Sequence, residues 1–255
     1  LPKYKLSISY DGTRYGGWQI QPNATSIQTL IEKALKIVLR KSIKLIGSGR
    51  TDSGVHAEGQ IAHFSFDGDL ELSKLHHSLN GLLPDDIRIR RIDPVEVDFH
   101  ARFSAKGKIY HYRIDRGKIK NPFTRLYAYH LPYPIDLDLL KEAAKAFVGK
   151  HDFTSFSNEA HRGSAAHDPV RTLFRLDIIE RGNELVLEFE GNGFLYKMVR
   201  NITGTLLDMA RGKIPLSDIE DIFAAKDRSR AGTTAPAHGL FLVDVRYDEN
   251  LLESS

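Results

Sequence analysis

The chain has 255 residues, with 36 basic and 33 acidic side chains, 41% hydrophobic residues and no cysteine. A chain of this length and balance can bury a core, as one large domain or two small ones, and a net charge of +3 permits a polyanionic partner without demanding one. The missing cysteine excludes disulfides, thiolate catalysis and cysteine-ligated metals and suits a reducing cytoplasm. No apolar run approaches the ~18 residues of a membrane helix, and the start "LPKYKLSISYDG" lacks the basic-then-apolar layout of a secretory leader.

"KYKLSISY" alternates Tyr4, Leu6, Ile8 and Tyr10 with polar residues, which predicts a half-buried strand. In "SIQTLIEKALKIVLRK" the positions Ile27, Leu30, Ile31, Ala34, Leu35 and Val38 keep the helical period, behind a cap at Thr25 or Ser26. "SIKLIG" reads as a short strand and "QIAHFSF" as another, with Ala62, Phe64 and Phe66 on one face. "LSKLHHSLNGLLP" reads as a helix capped by Ser73 and ended by Gly81–Pro84, and "DIRIRRID" as a strand. The second half repeats that order. "KGKIYHYRID" is a strand, "IDLDLLKEAAKAFVGK" a helix capped by Asp136 or Asp138, and "VRTLFRLDIIE" with "NELVLEFE" a hairpin around "RGN". "GFLYKMVRNITGTLLDMARGK" is a long helix, "LSDIEDIFAAK" a shorter one, and "GLFLVDVRY" the last strand.

Both halves therefore read β-α-β-β-α-β. The expected fold is α+β: two pseudo-repeated ferredoxin-like halves sharing a central, mostly antiparallel sheet with helices on one face. Residues 1–98 form the first half, 99–248 the second, and 249–255 a frayed tail. Where two turn residues join strands two and three of the second half, the first half holds a stretch of about ten. That stretch, "GSGRTDSGVHAEGQ" (47–60), carries four glycines beside Arg50, Asp52 and His56.

Asp52 admits two readings. Its carboxylate can close an Asx-turn on nearby N–H groups. Alternatively, kept ionised by Arg50, it can serve as nucleophile or base. The 11 histidines show no metal-binding spacing such as H-E-x-x-H, and there is no P-loop, dinucleotide fingerprint or G-x-S-x-G elbow. Tyr110 and Tyr112 share one strand face, as a core stripe or as a base-stacking platform flanked by Arg102, Lys106 and Lys108. Arg200 sits in a largely apolar helix with Phe194, Met198, Ile202 and Leu206, where it is a surface charge or needs a carboxylate partner. Arg14, Arg162 and Arg171 ride on long polar loops, which taken alone say little.

Six blocks, "YDGTRYGGWQIQ", "GSGRTDSGVHAEGQIAHF", "FHARFSAKGKIYHYRI", "HDFTSF", "FLYKMVRNITG" and "TAPAHGLFLVDVRY", together resemble the TruA family of tRNA pseudouridine synthases. They occur in the family's order across nearly the whole chain, and G-R-T-D-x-G-V-H is the most specific. The resemblance implies a homodimer whose basic cleft holds the anticodon stem-loop of tRNA. It implies isomerisation of uridines 38, 39 and 40 to pseudouridine, without metal or small-molecule cofactor. Asp52 takes the place of the catalytic aspartate, and Arg200 that of the arginine that pairs with it. Tyr110 takes the place of the tyrosine that stacks on the target base, and Arg50 that of a tRNA-contacting arginine. Phe99, His100, Ala101, Arg102 and Phe103 match an RNA-contacting segment. So does the loop containing Gly163, Ser164, Ala165, Ala166 and His167. No membrane is implied, and the location is cytoplasmic.

Two other readings compete. A non-catalytic RNA-binding protein with twin ferredoxin-like modules leaves the long G-R-T-D loop unexplained. A metal-dependent hydrolase built on Asp52 and His56 would lose its activity to a chelator.

Overall fold

The structure, a computed structural model, describes residues 1–158 and 168–248. Its contacts fall into two compact units, residues 1–106 together with the chain from Phe241 on, and residues 107–240. Among the described residues it is α+β, with ten strands, mostly antiparallel, and five α-helices.

In the first unit β1 (Lys3–Tyr10) is followed by α1 (Ile27–Leu39), β2 (Ile46–Gly47), β3 (His56–Ser65), α2 (Leu72–Leu82) and β4 (Ile87–Val95). β1 lies between β4 and β3, antiparallel to both, and β2 pairs antiparallel with β3. The alternation expected for β1 is complete: Tyr4, Leu6, Ile8 and Tyr10 are buried, and the residues between them are partly exposed. α1 buries Ile27, Ile31, Ala34 and Leu35, and Ser26 is the cap, its hydroxyl accepting from the Thr29 N–H at 3.2 Å. α2 is capped by the Glu71 carboxylate rather than by Ser73, because Ser73 already lies inside the helix; Gly81 does too.

Three strand expectations shift. "SIKLIG" shrinks to two residues because the backbone of Leu45 is claimed by α1 side chains. Its N–H donates to Glu32 Oε1 (2.9 Å) and its carbonyl accepts from Gln28 Nε2 (2.9 Å). β3 begins at His56, four residues before the apolar run, and ends at Ser65, so Phe66 is off the strand. "HAEG" has no strand signature of its own; it is held by β1 and, in parallel, by the last strand, β10 (Leu240–Arg246), at Phe241↔His56 and Leu242↔Ala57.

The second unit contains β5 (Gly107–Asp115), β6 (Tyr129–His130), α3 (Leu137–Lys145), β7 (Gly149–Asp152), β8 (Val170–Arg181), β9 (Glu184–Gly191), α4 (Met198–Ala210) and α5 (Ile219–Ala225). Its strands run in the order β5-β9-β8-β7, all antiparallel, with β6 parallel to β5. Gly182 and Asn183 form the expected two-residue turn between β8 and β9. α3 is capped by Asp136 and stops at Lys145. The apolar "AFV" continues the helical period, but the chain then turns at Gly149 into β7, which pairs with β8. α4 starts at Met198, not at Gly193, so Phe194 is not on it. In "LSDIEDIFAAK" the first turn is 3₁₀ and only Ile219–Ala225 is α-helical. An aromatic cluster of Phe147, Phe153 and Phe156 packs around Phe223 at centroid distances of 5.1–5.6 Å.

Candidate active site

The long loop between β2 and β3 is a braced structure in the first unit. After Gly47 the chain continues alongside β3, with the Ser48 N–H donating to the Ile61 carbonyl at 2.7 Å. The fully buried Gln60 brackets the start of the loop. Its Oε1 accepts from the Ser48 hydroxyl (2.7 Å) and its Nε2 donates to the Gly49 carbonyl (3.1 Å). One turn further, the hydroxyls of Thr51 and Tyr10 share a hydrogen bond of 2.7 Å, and burial pushes the Tyr10 phenol up to about 12. The loop then closes on itself, Val55 N–H to Asp52 carbonyl at 3.1 Å.

A second loop, Gly12–Trp18, is laid against this one. The Trp18 N–H donates to the Thr51 carbonyl (3.1 Å), and the Ser53 hydroxyl donates to the Tyr15 carbonyl (3.1 Å). Gly17 has φ +90, and a Cβ there would stand 2.4 Å from the Thr51 oxygen and 2.9 Å from the Asp52 carbonyl carbon. Glycine is thus needed on both steric and conformational grounds. Tyr15 and Arg14 anchor this loop to Asp86, and burial followed by the Asp86 hydrogen bond raises the Tyr15 phenol to about 12. Ser48, Thr51, Val55 and His56 are buried around Asp52, whereas Asp52 is partly exposed and Arg50 exposed.

His56 is committed to structure. Its Nδ1 accepts from the Gly12 N–H at 3.0 Å, and its ring stacks on Phe241 at 4.6 Å. Among the described residues no group of three or more Cys, His, Asp or Glu is placed to hold a metal.

Phe99–Phe103, also in the first unit, is a tight turn. The Ala101 N–H donates to His63 Nδ1 (3.1 Å), and Lys3 Nζ donates to the Phe99 carbonyl (2.8 Å). His100 Nδ1 accepts from the Arg102 and Phe103 N–H groups at 3.2 Å each. Burial, reinforced by the His100 and Lys3 charges, lowers the His63 pKa to about 4; burial likewise lowers that of His100. The His63 imidazole is thereby kept as a neutral acceptor. The turn exposes 76% of Phe103, whose ring stacks on His100 (4.3 Å) with the Arg102 guanidinium 5.7 Å from its centre. A cation beside an open aromatic face is suited to a nucleobase.

In the second unit the tyrosines of β5 do not form an open platform. Tyr112 is fully buried and donates to the Pro236 carbonyl at 2.8 Å. Tyr110 is 7% exposed, opposite Phe189 on β9 and edge-on to Phe194 at 5.0 Å. Burial raises the Tyr112 phenol well above its usual range, and the Arg200 charge works against that rise. Arg200 lies in the first turn of α4, its Nε donating to the Ala235 carbonyl (2.8 Å) while the Ala235 N–H returns to the Arg200 carbonyl (3.0 Å).

Sequence reasoning missed the strap that holds α4. Residues 231–235 run along the helix so closely that a Cβ on Gly204 would lie 1.6 Å from the Thr233 oxygen. The Gly232 N–H donates to Thr205 Oγ1 (2.9 Å), and the Thr233 N–H donates to the Asp208 carboxylate (3.0 Å). Asn201 links Arg228 and Thr234 on its Oδ1 to Phe156 and Asn158 through its Nδ2. A glycine inside a helix, costly in propensity, was the available sign. Gly163, Ser164, Ala165, Ala166 and His167 lie outside the described residues.

A family model described as tRNA pseudouridine synthase matches residues 6–104 and 143–248. The chain is 58% identical over 246 residues to tRNA pseudouridine synthase A 1 of Protochlamydia amoebophila, covering 96% of each chain. It is 48% identical over 248 residues to tRNA pseudouridine synthase A of Bacillus licheniformis, covering 96% of this chain and 99% of the relative. With tRNA pseudouridine synthase A of Lacticaseibacillus casei the identity is 45% over 250 residues, covering 97% and 100%.

Proposed function

We infer the function of this chain from the family to which it belongs, the tRNA pseudouridine synthases. It is an isomerase that acts as a tRNA pseudouridine synthase. We propose that its targets are uridines 38, 39 and 40 of the anticodon arm, and that Asp52 is the nucleophile. The observation that supports this assignment is the bracing of residues 48–56. Ser48, Thr51, Val55 and His56 are buried, and the aspartate is left partly open beside them.

The reaction breaks the N1–C1′ bond of uridine, turns the base over and joins C5 to C1′. The C5 hydrogen leaves as a proton and N1 gains one, so the sum is an isomerisation. A carboxylate that forms a transient bond to the nucleotide divides this into easier steps, and the base must first leave its stack, at a cost of a few kcal/mol. In this reading Tyr110 stacks on the target base once Phe194, now edge-on to its ring, has moved aside, while Arg200 and Arg50 serve catalysis and tRNA contact. The Arg102–Phe103–His100 stack and residues 163–167 grip the RNA. The same reading makes the protein a cytoplasmic homodimer of two ferredoxin-like halves. For the first of them, the strand order β4-β1-β3 with β2 beyond β3 is supporting evidence.

The test is tritium release from tRNA labelled at uridine C5, by the native chain and by Asp52→Asn, with EDTA throughout. Release by the native chain alone is expected. Release by both would remove Asp52 from its role. No release by either from a tRNA that still binds would leave RNA binding without catalysis.

A further inference from the structure

The first unit carries a concentration of positive charge that the reading above does not use. Between Lys33 and Lys44 the chain has five basic residues, Lys33, Lys36, Arg40, Lys41 and Lys44, and no acidic one. All five are exposed, and none has a carboxylate partner among the described residues. Lys33, Lys36 and Arg40 follow at i, i+3 and i+7 along α1, a spacing that puts like charges side by side and weakens the helix. The nearest acid in sequence, Glu32, is turned to Gln28 and the Leu45 N–H (3.0 and 2.9 Å) and relieves none of them. Arg40 adds a second cost, since it takes the left-handed conformation (φ 54) at the end of α1, where glycine would fit without strain. Just beyond, Lys41 and Lys44 line a cavity of about 240 Å³, with the Lys41 ammonium 5.8 Å from the centre of the Phe66 ring.

We propose that this cationic face of α1 and its exit binds the sugar-phosphate backbone of the tRNA outside the anticodon arm. The proposal rests on the anticodon-arm reading of the substrate. Position is the reason for assigning it to a distal part of the RNA. Asp52 lies just before the start of β3, and the cavity lies at its other end, with Phe64 and Ser65 in its wall. Ten strand residues at about 3.4 Å each put the exit of α1, with Lys41 and Lys44, roughly 30 Å from Asp52, and Arg40, Lys36 and Lys33 lead back along the helix from there. That distance is about ten base pairs of an A-form RNA duplex, which rises less per pair than the ~3.4 Å of DNA, and it is more than a short hairpin stem supplies. Charge complementarity selects the phosphates as the contact, because among the described residues the five cations form no ion pair and the one acid in the wall of their cavity, Asp67, leaves the face strongly positive.

The experiment compares full-length tRNA with an isolated anticodon-arm hairpin, for the native chain, the triple variant Arg40→Gln/Lys41→Gln/Lys44→Gln, the single variant Arg40→Gly, and a charge control, Lys145→Gln. In the triple variant the KM for full-length tRNA is expected to rise about tenfold or more at moderate salt, with kcat held. Its log affinity against log salt flattens by about 2, at 0.7–0.9 per lost phosphate contact. The hairpin and the Lys145 control stay at native values. Arg40→Gly is expected to raise the melting temperature and yet weaken tRNA binding, opposite signs that a purely structural arginine does not produce. Unchanged KM and salt slope on full-length tRNA would overturn the proposal, as would an equal loss on the hairpin. Direct binding of the two RNAs is measured alongside turnover. If the native chain makes no pseudouridine, the catalytic reading falls while the binding comparison still decides on the patch.

Discussion

The loop that carries Asp52 is held by its neighbours, and each neighbour can be probed. Gly17 is the sharpest case. A methyl group there meets the Thr51 carbonyl at 2.4 Å and forces an alanine to φ +90. Gly17→Ala is expected to lower kcat about 10- to 100-fold, the cost of displacing a reacting group by about 1 Å, with tRNA binding retained. Gly212→Ala is the control, since its φ is +69 but nothing lies within 4 Å; stability alone should change there, by about 1 kcal/mol. His63 gives a pH signature. Its folded pKa is about 4, against 6.5 ordinarily, because burial disfavours the charged ring and the His100 and Lys3 charges add to that; the neutral ring accepts the Ala101 N–H. The unfolded chain takes up a proton first, so stability is full above pH 6.5 and is lost as pH falls towards 4, by at most about 3 kcal/mol. Urea denaturation at pH 7 and pH 4.5 should show a smaller difference in His63→Gln than in the native chain. An equal difference would remove His63 as the source.

The elements differ in what holds them. α1 stands on its amphipathic face and its cap, so Ser26→Ala should cost about 1 kcal/mol in denaturant melts and leave turnover alone. α4 is held from outside by the strap 231–235, which grips Asp208, Thr205 and Arg200. Gly204→Ala drives a Cβ into the Thr233 oxygen and should displace the strap. The expected result is a loss of about 3 kcal/mol or more together with a fall in kcat, since Ala235 orients the Arg200 guanidinium. Asp208→Asn keeps one acceptor for the Thr233 N–H and should retain most of the activity. If Gly204→Ala loses stability but not kcat, the strap does not position Arg200.

Over the whole chain, its last strand completes the unit that carries Asp52. β10 pairs with β3 at His56 and Ala57, and Phe241 stacks on the same His56 that accepts from Gly12. A chain ending at Leu240 loses that stack and that pairing. It is expected to lose tritium release entirely, while the aromatic cluster of the second unit around Phe223 keeps its near-ultraviolet dichroism. Retained turnover in that truncation would show that the loop 48–55 is braced without β10. The cationic exit of α1 belongs to the same unit but to the other end of β3, so it should tune affinity for intact tRNA and not the chemical step.

Much of this molecule is written in local pattern. Periodicity is enough for β1, α1, β5 and the β8–β9 hairpin, because in each the apolar residues mark the buried face directly. The G-R-T-D stretch is also legible, since glycines around lone charges in a loop longer than a turn requires are a local statement. The misses share one cause: each depends on a partner distant in the chain. "SIKLIG" lost its strand to Gln28 and Glu32, and "HAEG" gained one from β1 and β10; between the two readings open for Tyr112, core or platform, it was again a distant partner, the Pro236 carbonyl, that went with the core one. Gln60 beneath Ser48, Gly17 against Thr51 and the strap against Gly204 follow the same rule. Periodicity reports which side of an element is apolar, whereas hydrogen-bond satisfaction and close approach depend on what folding brings to the other side.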